Sequence, residues 1–285
     1  MNIEKILPND GPSIEEVKKY IKKYSNEIIV IKCGGSVLLE KNLFNQFVED
    51  ISILNKLGLS AIVVHGGGKN IKRKLSDQNI ESKFINGLRV TDEKIIKIVE
   101  EALLELNLEI LNHIQSYQVN AESITPKNGN IIKIIPEKKE LGYVGSPSEI
   151  NKKKLLEILN NKKVPIILPM GIGVDGKIYN INADTAAGSL AKELNSRRLL
   201  LMTDVEGVLD QNKRLVNEIN SEVAKNMLNN GTISGGMIPK IKTCLDAVNN
   251  GVTGVVIVDG RKPHSILFEL FSDKGAGTLI RKWKN

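Results

Sequence analysis

Glu27-Ile28-Ile29-Val30-Ile31-Lys32-Cys33-Gly34-Gly35-Ser36 is the stretch on which the fold reading turns. The apolar run over 27–32 is almost continuous. That is the habit of a strand buried on both faces, as in parallel sheets covered by helices. A lysine closing such a strand is costly unless its ammonium reaches water, an anion or a carboxylate. The glycine pair behind it turns the chain at the carboxyl end of the strand, where open α/β sheets place ligands. A tight turn needing glycine geometry would explain the pair equally well. The spacing is neither that of a Walker A loop nor that of a Rossmann fingerprint.

Working outward, the arrangement recurs. Residues 60–65 form a second buried run that ends in His65-Gly66-Gly67-Gly68. Three glycines let a ligand touch backbone, and the following helix offers free amides to a carboxylate or phosphate. His65 is either a catalytic base or a side chain that holds the turn by a hydrogen bond. Helical periodicity covers 42–57, 91–118 with Thr91 as cap, 148–161, 184–195 opened by Asp184, 221–228, 239–249 and a last helix ending near Phe271. Runs at 164–168, 199–203 and 255–258 read as strands, and 277–280 as an edge strand. Residues 120–150 are turn-rich and strand-like, an antiparallel excursion beside the main sheet. At the front, a loose lead-in over 1–12 precedes Ser13-Ile14-Glu15-Glu16, a capping box. Ile14, Val17, Ile21 and Tyr24 then give a short amphipathic helix, either a lid on the core or an oligomer contact. Strands alternating with helices predict an α/β protein with a mainly parallel sheet covered on both faces.

A length of 285 residues suits one large α/β domain or two lobes sharing a sheet. The net charge of +7 and pI near 9.2 bring nucleic acid to mind. Aromatics are only 4%, however, and the lysines are scattered rather than blocked together. Base stacking needs aromatic platforms, so no nucleic-acid partner is expected. The charge fits a positive field that favours small anionic substrates. Cys33 and Cys244 make neither a disulfide framework nor a metal-ligand pattern, which suits a reducing cytosol. No protein-held metal is expected. The N-terminus lacks the apolar stretch of a signal peptide, and no run approaches the roughly 20 apolar residues of a membrane span. A cytoplasmic protein is expected.

Four further stretches carry chemistry. Arg89, in Gly87-Leu88-Arg89-Val90-Thr91, could clamp a carboxylate with two parallel hydrogen bonds, or be an ordinary surface arginine. Asn180-Ile181-Asn182 alternates as a strand would, placing both amides on one side, and Asp184 follows at the turn into a helix. As an N-cap Asp184 would be structural only. As an organiser it could accept hydrogen bonds from two lysines, Lys32 and Lys240, holding them apart and aimed. Thr203-Asp204-Val205-Glu206-Gly207-Val208-Leu209 is a polar turn after a buried strand, a suitable nucleotide edge. Gly235-Gly236-Met237-Ile238-Pro239-Lys240 is a second glycine turn with its own lysine, and Pro239 suits the first turn of a helix. Phosphoryl transfer needs naked backbone amides and fixed positive charges around the group in flight.

Taken in order, Ile31-Lys32-Cys33-Gly34-Gly35, Val64-His65-Gly66-Gly67-Gly68, Asn86-Gly87-Leu88-Arg89-Val90-Thr91, Gly142-Tyr143-Val144-Gly145, Asn180-Ile181-Asn182-Ala183-Asp184, residues 203–209 and Gly236-Met237-Ile238-Pro239-Lys240 resemble the amino-acid kinase family, over nearly the whole chain. The resemblance implies a three-layer αβα sandwich around a mainly parallel sheet of about eight strands. It implies a single domain over 1–285, with an N-terminal extension over 1–26, an acyl-amino-acid lobe over 27–175 and a nucleotide lobe over 176–285. Within the family it is closest to the branch that phosphorylates N-acetyl-L-glutamate with ATP and Mg²⁺. On that resemblance Lys32, Lys240 and Asp184 would be catalytic, and Gly67, Gly68, Arg89, Asn180 and Asn182 would hold the acceptor. Gly34, Gly35, Asp204, Gly207, Leu209, Gly235, Gly236 and Met237 would hold the nucleotide. Members acting on aspartate, glutamate, UMP or carbamate are the rivals, as is a non-catalytic arginine-sensing module. The capped N-terminal helix is similar to that of an arginine-inhibited, homo-oligomeric branch, dimeric or a hexameric ring. Asp259-Gly260-Arg261, His264, Glu269 and Gly275-Ala276-Gly277-Thr278 resemble that branch's effector region, although Val256 departs from its usual histidine. Lys69-Asn70, where relatives often carry Pro-Gln, and Cys33 are departures that remove no named function.

Overall fold

The computed structural model describes residues 3–282. Residues 1, 2 and 283–285, which include the start of the expected lead-in and of the stretch read for a signal peptide, lie outside the described residues. In chain order, α1 (Ile14–Ile21) leads to β1 (Ile28–Cys33), α2 (Lys41–Lys56), β2 (Ser60–His65) and α3 (Gly68–Asp77). The hairpin β3 (Phe84–Ile85) and β4 (Leu88–Arg89) precedes the long α4 (Glu93–Ser116) and β5 (Ala121–Ile124). Then come β6 (Ile132–Pro136), β7 (Gly145–Ile150), α5 (Lys152–Asn160), β8 (Val164–Ile167), β9 (Met170–Gly173), β10 (Ile178–Asn180) and α6 (Ala183–Glu193). The last stretch holds β11 (Arg198–Thr203), β12 (Glu218–Ile219), α7 (Ser221–Asn229), α8 (Met237–Asn249), β13 (Val255–Asp259), α9 (Ser265–Phe271) and β14 (Gly277–Ile280).

Eight strands form the main sheet in the order β12-β14-β13-β11-β1-β2-β8-β5. The six from β13 to β5 run parallel, and β14 is antiparallel to β13. Period-two alternation divides the strand side chains between two cores. Val30, Ile62, Leu199 and Leu201 pack with α6 and α8 residues such as Leu190 and Ile241 on one face. Ile29, Ile31, Val63 and Leu200 pack with α2 and α9 residues such as Phe47, Ile51 and Leu267 on the other. That is the expected three-layer sandwich. Burying both faces is why these strands read as continuous apolar runs.

α1 is opened by the predicted capping box: the Glu16 N–H donates to Ser13 Oγ at 3.3 Å, and the Ser13 N–H to Glu16 Oε2 at 3.1 Å. Its Val17 is fully buried, and Lys19 pairs with Asp273 just beyond α9 at 2.6 Å. Within this chain the helix is a lid on the core.

Several boundaries differ from the sequence reading. The cap of α4 is Asp92, which accepts from the Lys94 and Ile95 N–H groups at 2.9 and 2.8 Å. Thr91 is buried instead, its backbone tied to Leu141 and Tyr143 at 2.9 and 2.7 Å. The start of the expected 148–161 helix belongs to β7, because residues 149–150 pair with β6, and Asn151 caps α5. The antiparallel excursion is real, a second sheet in the order β10-β9-β6-β7, but β5 joins the main sheet in parallel. β14 is not an edge, since β12 pairs outside it.

Candidate active site

The cleft lies at the carboxyl ends of β1 and β2, on one side of the point where the sheet's strand order runs out in both directions from β1. β1 delivers Lys32 and β2 delivers the 66–68 glycines. α6 carries Asp184 in its first turn and α8 carries Lys240 in its own. Lys240 Nζ donates to Asp184 Oδ2 at 2.6 Å. Lys32 Nζ lies 3.0 Å from Oδ1, close enough to pair but off hydrogen-bond alignment. Two residues 208 positions apart therefore share one carboxylate, one ammonium on each oxygen. All three side chains are 12–17% exposed. Burial pushes the Asp184 carboxyl up. The charges of Lys32 and Lys240 more than reverse that, holding it at about 2. The positive end of α6 adds to the same effect. Two cations against one anion leave the cluster with a net charge of +1, ready for a further anion.

Asp184 is not the helix cap. Asn182 is: its Oδ1 accepts from the Asp184 and Thr185 N–H groups at 2.9 and 3.1 Å. The strand ends at Asn180, two residues short of the expected alternation, but Asn180 and Asn182 both line the cleft. Asn182 lines the cleft while its oxygen is occupied structurally.

One cleft of about 230 Å³ gathers Lys32, Gly34, Gly35, Gly67, Gly68, Arg89, Asn180 and Asn182. It thus mixes residues expected at the acceptor with two expected at the nucleotide. Arg89, 8% exposed, reaches Ser82 Oγ with Nη1 and the Gly68 carbonyl with Nη2 at 3.2 Å. Its guanidinium sits 4.7 Å from the Phe84 ring centroid. Among the described residues no carboxylate pairs with it. The hairpin aims it: Asn86 and Gly87 have φ of 51° and 82°, as the two central residues of a tight hairpin turn require.

The other nucleotide candidates lie outside that cleft. Asp204 fastens the first glycine turn: its Oδ1 accepts from the Ser36 N–H and Oγ–H at 3.1 and 2.7 Å. Burial raises its pKa, but those bonds and the charges of Lys69 and Arg261 leave it below the ordinary value. Gly35 has φ +64°, and a Cβ there would stand 2.5 Å from Asp204 Oδ1, so only glycine fits. Gly207 has φ +145° and lies against Thr278, whose Oγ1 accepts from Val208 N–H at 2.8 Å. Leu209 is 38% exposed. Gly235 and Gly236 face open space ahead of α8, with Met237 its first residue.

His65 is no base. It is fully buried, and burial lowers its pKa to about 4. Phe84 lines the cleft, and Ser36 ties the first glycine turn to Asp204; neither was singled out from the sequence. The Asn86-Gly87 pair between apolar residues was the available signal for Phe84. Among the described residues no group of three or more His, Cys, Asp or Glu could hold a metal, and no helix is long and apolar enough to cross a membrane.

A separate cavity of about 1320 Å³ opens between α1, α9 and β14. Glu269, its carboxyl raised by burial, accepts from Ala276 N–H at 2.8 Å there. Arg198 lines it, its Nη1 donating to the Arg197 carbonyl at 3.0 Å, and Lys23 and Gly275 complete the wall. Asp259 and Arg261 pair with each other twice at 2.9 Å, and His264 is bonded to Asp50, so these do not line the cavity. Val256 is buried in β13.

The model of the amino acid kinase family matches residues 27–259. A relative named acetylglutamate kinase, from Pelagibacter ubique, is 57% identical over 277 residues, covering 97% of this chain and 96% of its own. Among solved structures, N-acetylglutamate synthase from Neisseria gonorrhoeae superposes with a TM-score of 0.86 at 23% identity, over 96% of this chain and 65% of that one. Carbamate kinase from Giardia lamblia gives 0.68 at 17% identity, over 90% and 99%. At those identities the two structures speak for the fold.

Proposed function

The chain belongs to the amino acid kinase family, and from that premise we infer that it phosphorylates the side-chain carboxylate of N-acetyl-L-glutamate with ATP. The product is N-acetyl-L-glutamyl 5-phosphate, in arginine biosynthesis. The enzyme is a phosphotransferase with a carboxyl group as acceptor. The observation that carries this reading is the single Asp184 carboxylate shared by Lys32 and Lys240 at 3.0 and 2.6 Å.

The acceptor carboxylate, with a pKa near 4, is ionised at pH 7, so no general base is needed. Its oxygen attacks the γ-phosphorus, the bond to the β,γ-bridging oxygen breaks, and ADP leaves with that electron pair. No proton moves. The barrier is repulsion between carboxylate and triphosphate. Lys32 and Lys240 offset it from two sides, most strongly as charge spreads over the transferring group. Asp184 keeps the ammonium groups apart and aimed. Gly67, Gly68, Arg89 and Asn180 would hold the acceptor, with the Arg89 guanidinium taking a carboxylate. The turns at 34–35, 204–209 and 235–237 would hold the nucleotide. The protein offers no cluster of metal ligands among the described residues. Mg²⁺ would enter with the nucleotide's phosphates, as part of that substrate.

An ADP-release assay decides the acceptor. Turnover with N-acetyl-L-glutamate, and little with aspartate, glutamate, carbamate or UMP, is expected. Preference for any of those four overturns the reading.

The second cavity supports L-arginine as an effector. Glu269 would face its guanidinium, while Arg198 and Lys23 would face its carboxylate. Inhibition on titrating L-arginine is the expected result, and none at millimolar levels excludes it. A homo-oligomer, dimeric or a hexameric ring, fits the exposed Leu104 and Leu108 on α4, 36% and 42% exposed. Light scattering showing a monomer would end that.

A further inference from the structure

Gly66 is held on both sides. Its N–H donates to the Cys33 carbonyl at 2.7 Å, and its carbonyl oxygen lies 3.0 Å from His65 Nδ1. Behind His65 stands Asn107, fully buried on α4. Its Nδ2 donates to His65 Nε2 and to the Ile166 carbonyl, both at 3.0 Å. Its Oδ1 has no partner among the described residues. The amide cannot be turned round, because Oδ1 would then face the Ile166 carbonyl, acceptor against acceptor. With Asn107 donating into Nε2 and Gly66 accepting from Nδ1, the imidazole must be neutral and carry its proton on Nδ1. Burial, which lowers its pKa to about 4, keeps it neutral at pH 7.

The peptide joining Gly66 and Gly67 is planar and trans, so its N–H points opposite to its carbonyl. Holding the carbonyl against His65 turns the Gly67 N–H the other way. That N–H finds no acceptor among the described residues, and Gly67 lines the cleft. The neighbourhood is that of the transferring group: a Cβ on Gly66 would stand 3.7 Å from Gly34 Cα and 4.0 Å from Lys32 Cε.

We infer that Asn107 and His65 are positioning residues for phosphoryl transfer, pinning the Gly66 carbonyl so that the Gly67 N–H is presented beside Lys32 as a donor to the group in flight. The inference rests on the phosphotransfer reading above. Neither side chain touches substrate. Without them the peptide could rotate and aim a carbonyl, rather than a donor, at the phosphoryl oxygens, a change felt most in the transition state.

Three variants of the full chain, read against wild type, test it. His65→Leu removes the donor and should lower kcat about tenfold or more, with KM for both substrates changed by less than about threefold. His65→Asn places a side-chain NH₂ where Nδ1 stood and should keep kcat within about threefold of wild type. Asn107→Leu should fall between, because it leaves the Nδ1 donor in place while freeing the tautomer and losing the bond to the Ile166 carbonyl. ¹⁵N NMR of wild type at pH 7 should show His65 neutral with the proton on Nδ1. The proposal is overturned by unchanged kcat in His65→Leu, by equal kcat losses in the Leu and Asn variants at equal thermal stability, or by the Nε2–H tautomer. A wild-type chain inactive on N-acetyl-L-glutamate would strike the functional reading instead. The tautomer, and the kcat ratios with whichever acceptor is turned over, would still decide the positioning role.

Discussion

Asp184, in the first turn of α6, and Asp50, in the middle of α2, are both largely withdrawn from water, yet their carboxyls shift in opposite directions. Burial raises both. At Asp184 two fixed ammonium groups reverse that and hold the carboxyl at about 2. At Asp50 the partner is a single imidazole, His264 Nδ1 at 2.6 Å, and the carboxyl stays up at about 6. For His264, burial pulls down, but its hydrogen bond with Asp50 and the charges of Asp50 and Asp10 leave it raised. The number and permanence of nearby cations decide the outcome more than burial does. One region holds its carboxylate ionised through the physiological range. The other binds and releases a proton near neutrality, between α2, α9 and the N-terminal segment at Asp10.

The largest expected effect breaks the first member of this pair. Lys240→Ala should lower turnover at least about a hundredfold, as loss of one transition-state contact can, while circular dichroism stays unchanged. Near-normal turnover in the folded variant would leave the shared carboxylate as a structural ion pair only. Next comes the turn beside it. Gly35→Ala forces a side chain into a left-handed conformation and against Asp204 Oδ1 at 2.5 Å. It should cost about 2 kcal/mol in urea unfolding, well above the usual surface substitution.

The second member is sharpened by pH. The His264 and Asp50 pKa values both lie above their unfolded values, so the pair holds its proton more tightly in the folded chain. Its stabilisation is full below the unfolded values and is lost as pH rises through the folded ones. The melting temperature should therefore fall as pH rises above 6.5, the ordinary value of His264. His264→Gln should flatten that profile. Asp184 has the opposite sign: its contribution is present above the ordinary carboxylate value of 3.8 and is lost as pH falls through about 2. His65, held at about 4 by burial, adds stability as pH rises to its ordinary value of 6.5 and is flat above it, so the α2–α9 effect is read above that pH. The smallest effect concerns the cap of α6. Asn182→Ala should cost about 1 kcal/mol and Asn182→Ser much less, because serine also caps. Equal costs would show that Asn182 matters for something other than capping.

Legibility followed the range of the interaction. Strands and helices were visible wherever local periodicity carried them, from the apolar run of β1 to the Ser13 capping box. The Lys32–Asp184–Lys240 cluster was visible as a candidate because lysines beside glycine turns, with an aspartate at a helix start, are chemically unusual. Boundaries failed where two good residues competed for one place. Thr91 and Asp92 could each cap α4, and Asn182 and Asp184 could each open α6. Only the backbone hydrogen bonds choose between them. The assignment of Asp204 to the nucleotide could not reveal that its carboxylate fastens Ser36, 168 residues away. His65 invited a catalytic reading because nothing local says that it is sealed beneath α4.

The amino-acid order alone determined the alternation of strands and helices, the glycine turns and the supply of cations, since each depends on neighbours within a few positions. What only the assembled sheet decided was which groups meet. β1 lies against β2 and β11, and the assembly around it sets Lys32 and Lys240 on the Asp184 carboxylate and seats Asp204 behind the first glycine turn. Electrostatic shifts follow from those meetings, because charge interactions in a water-poor site depend on separations of a few ångströms that sequence spacing does not encode.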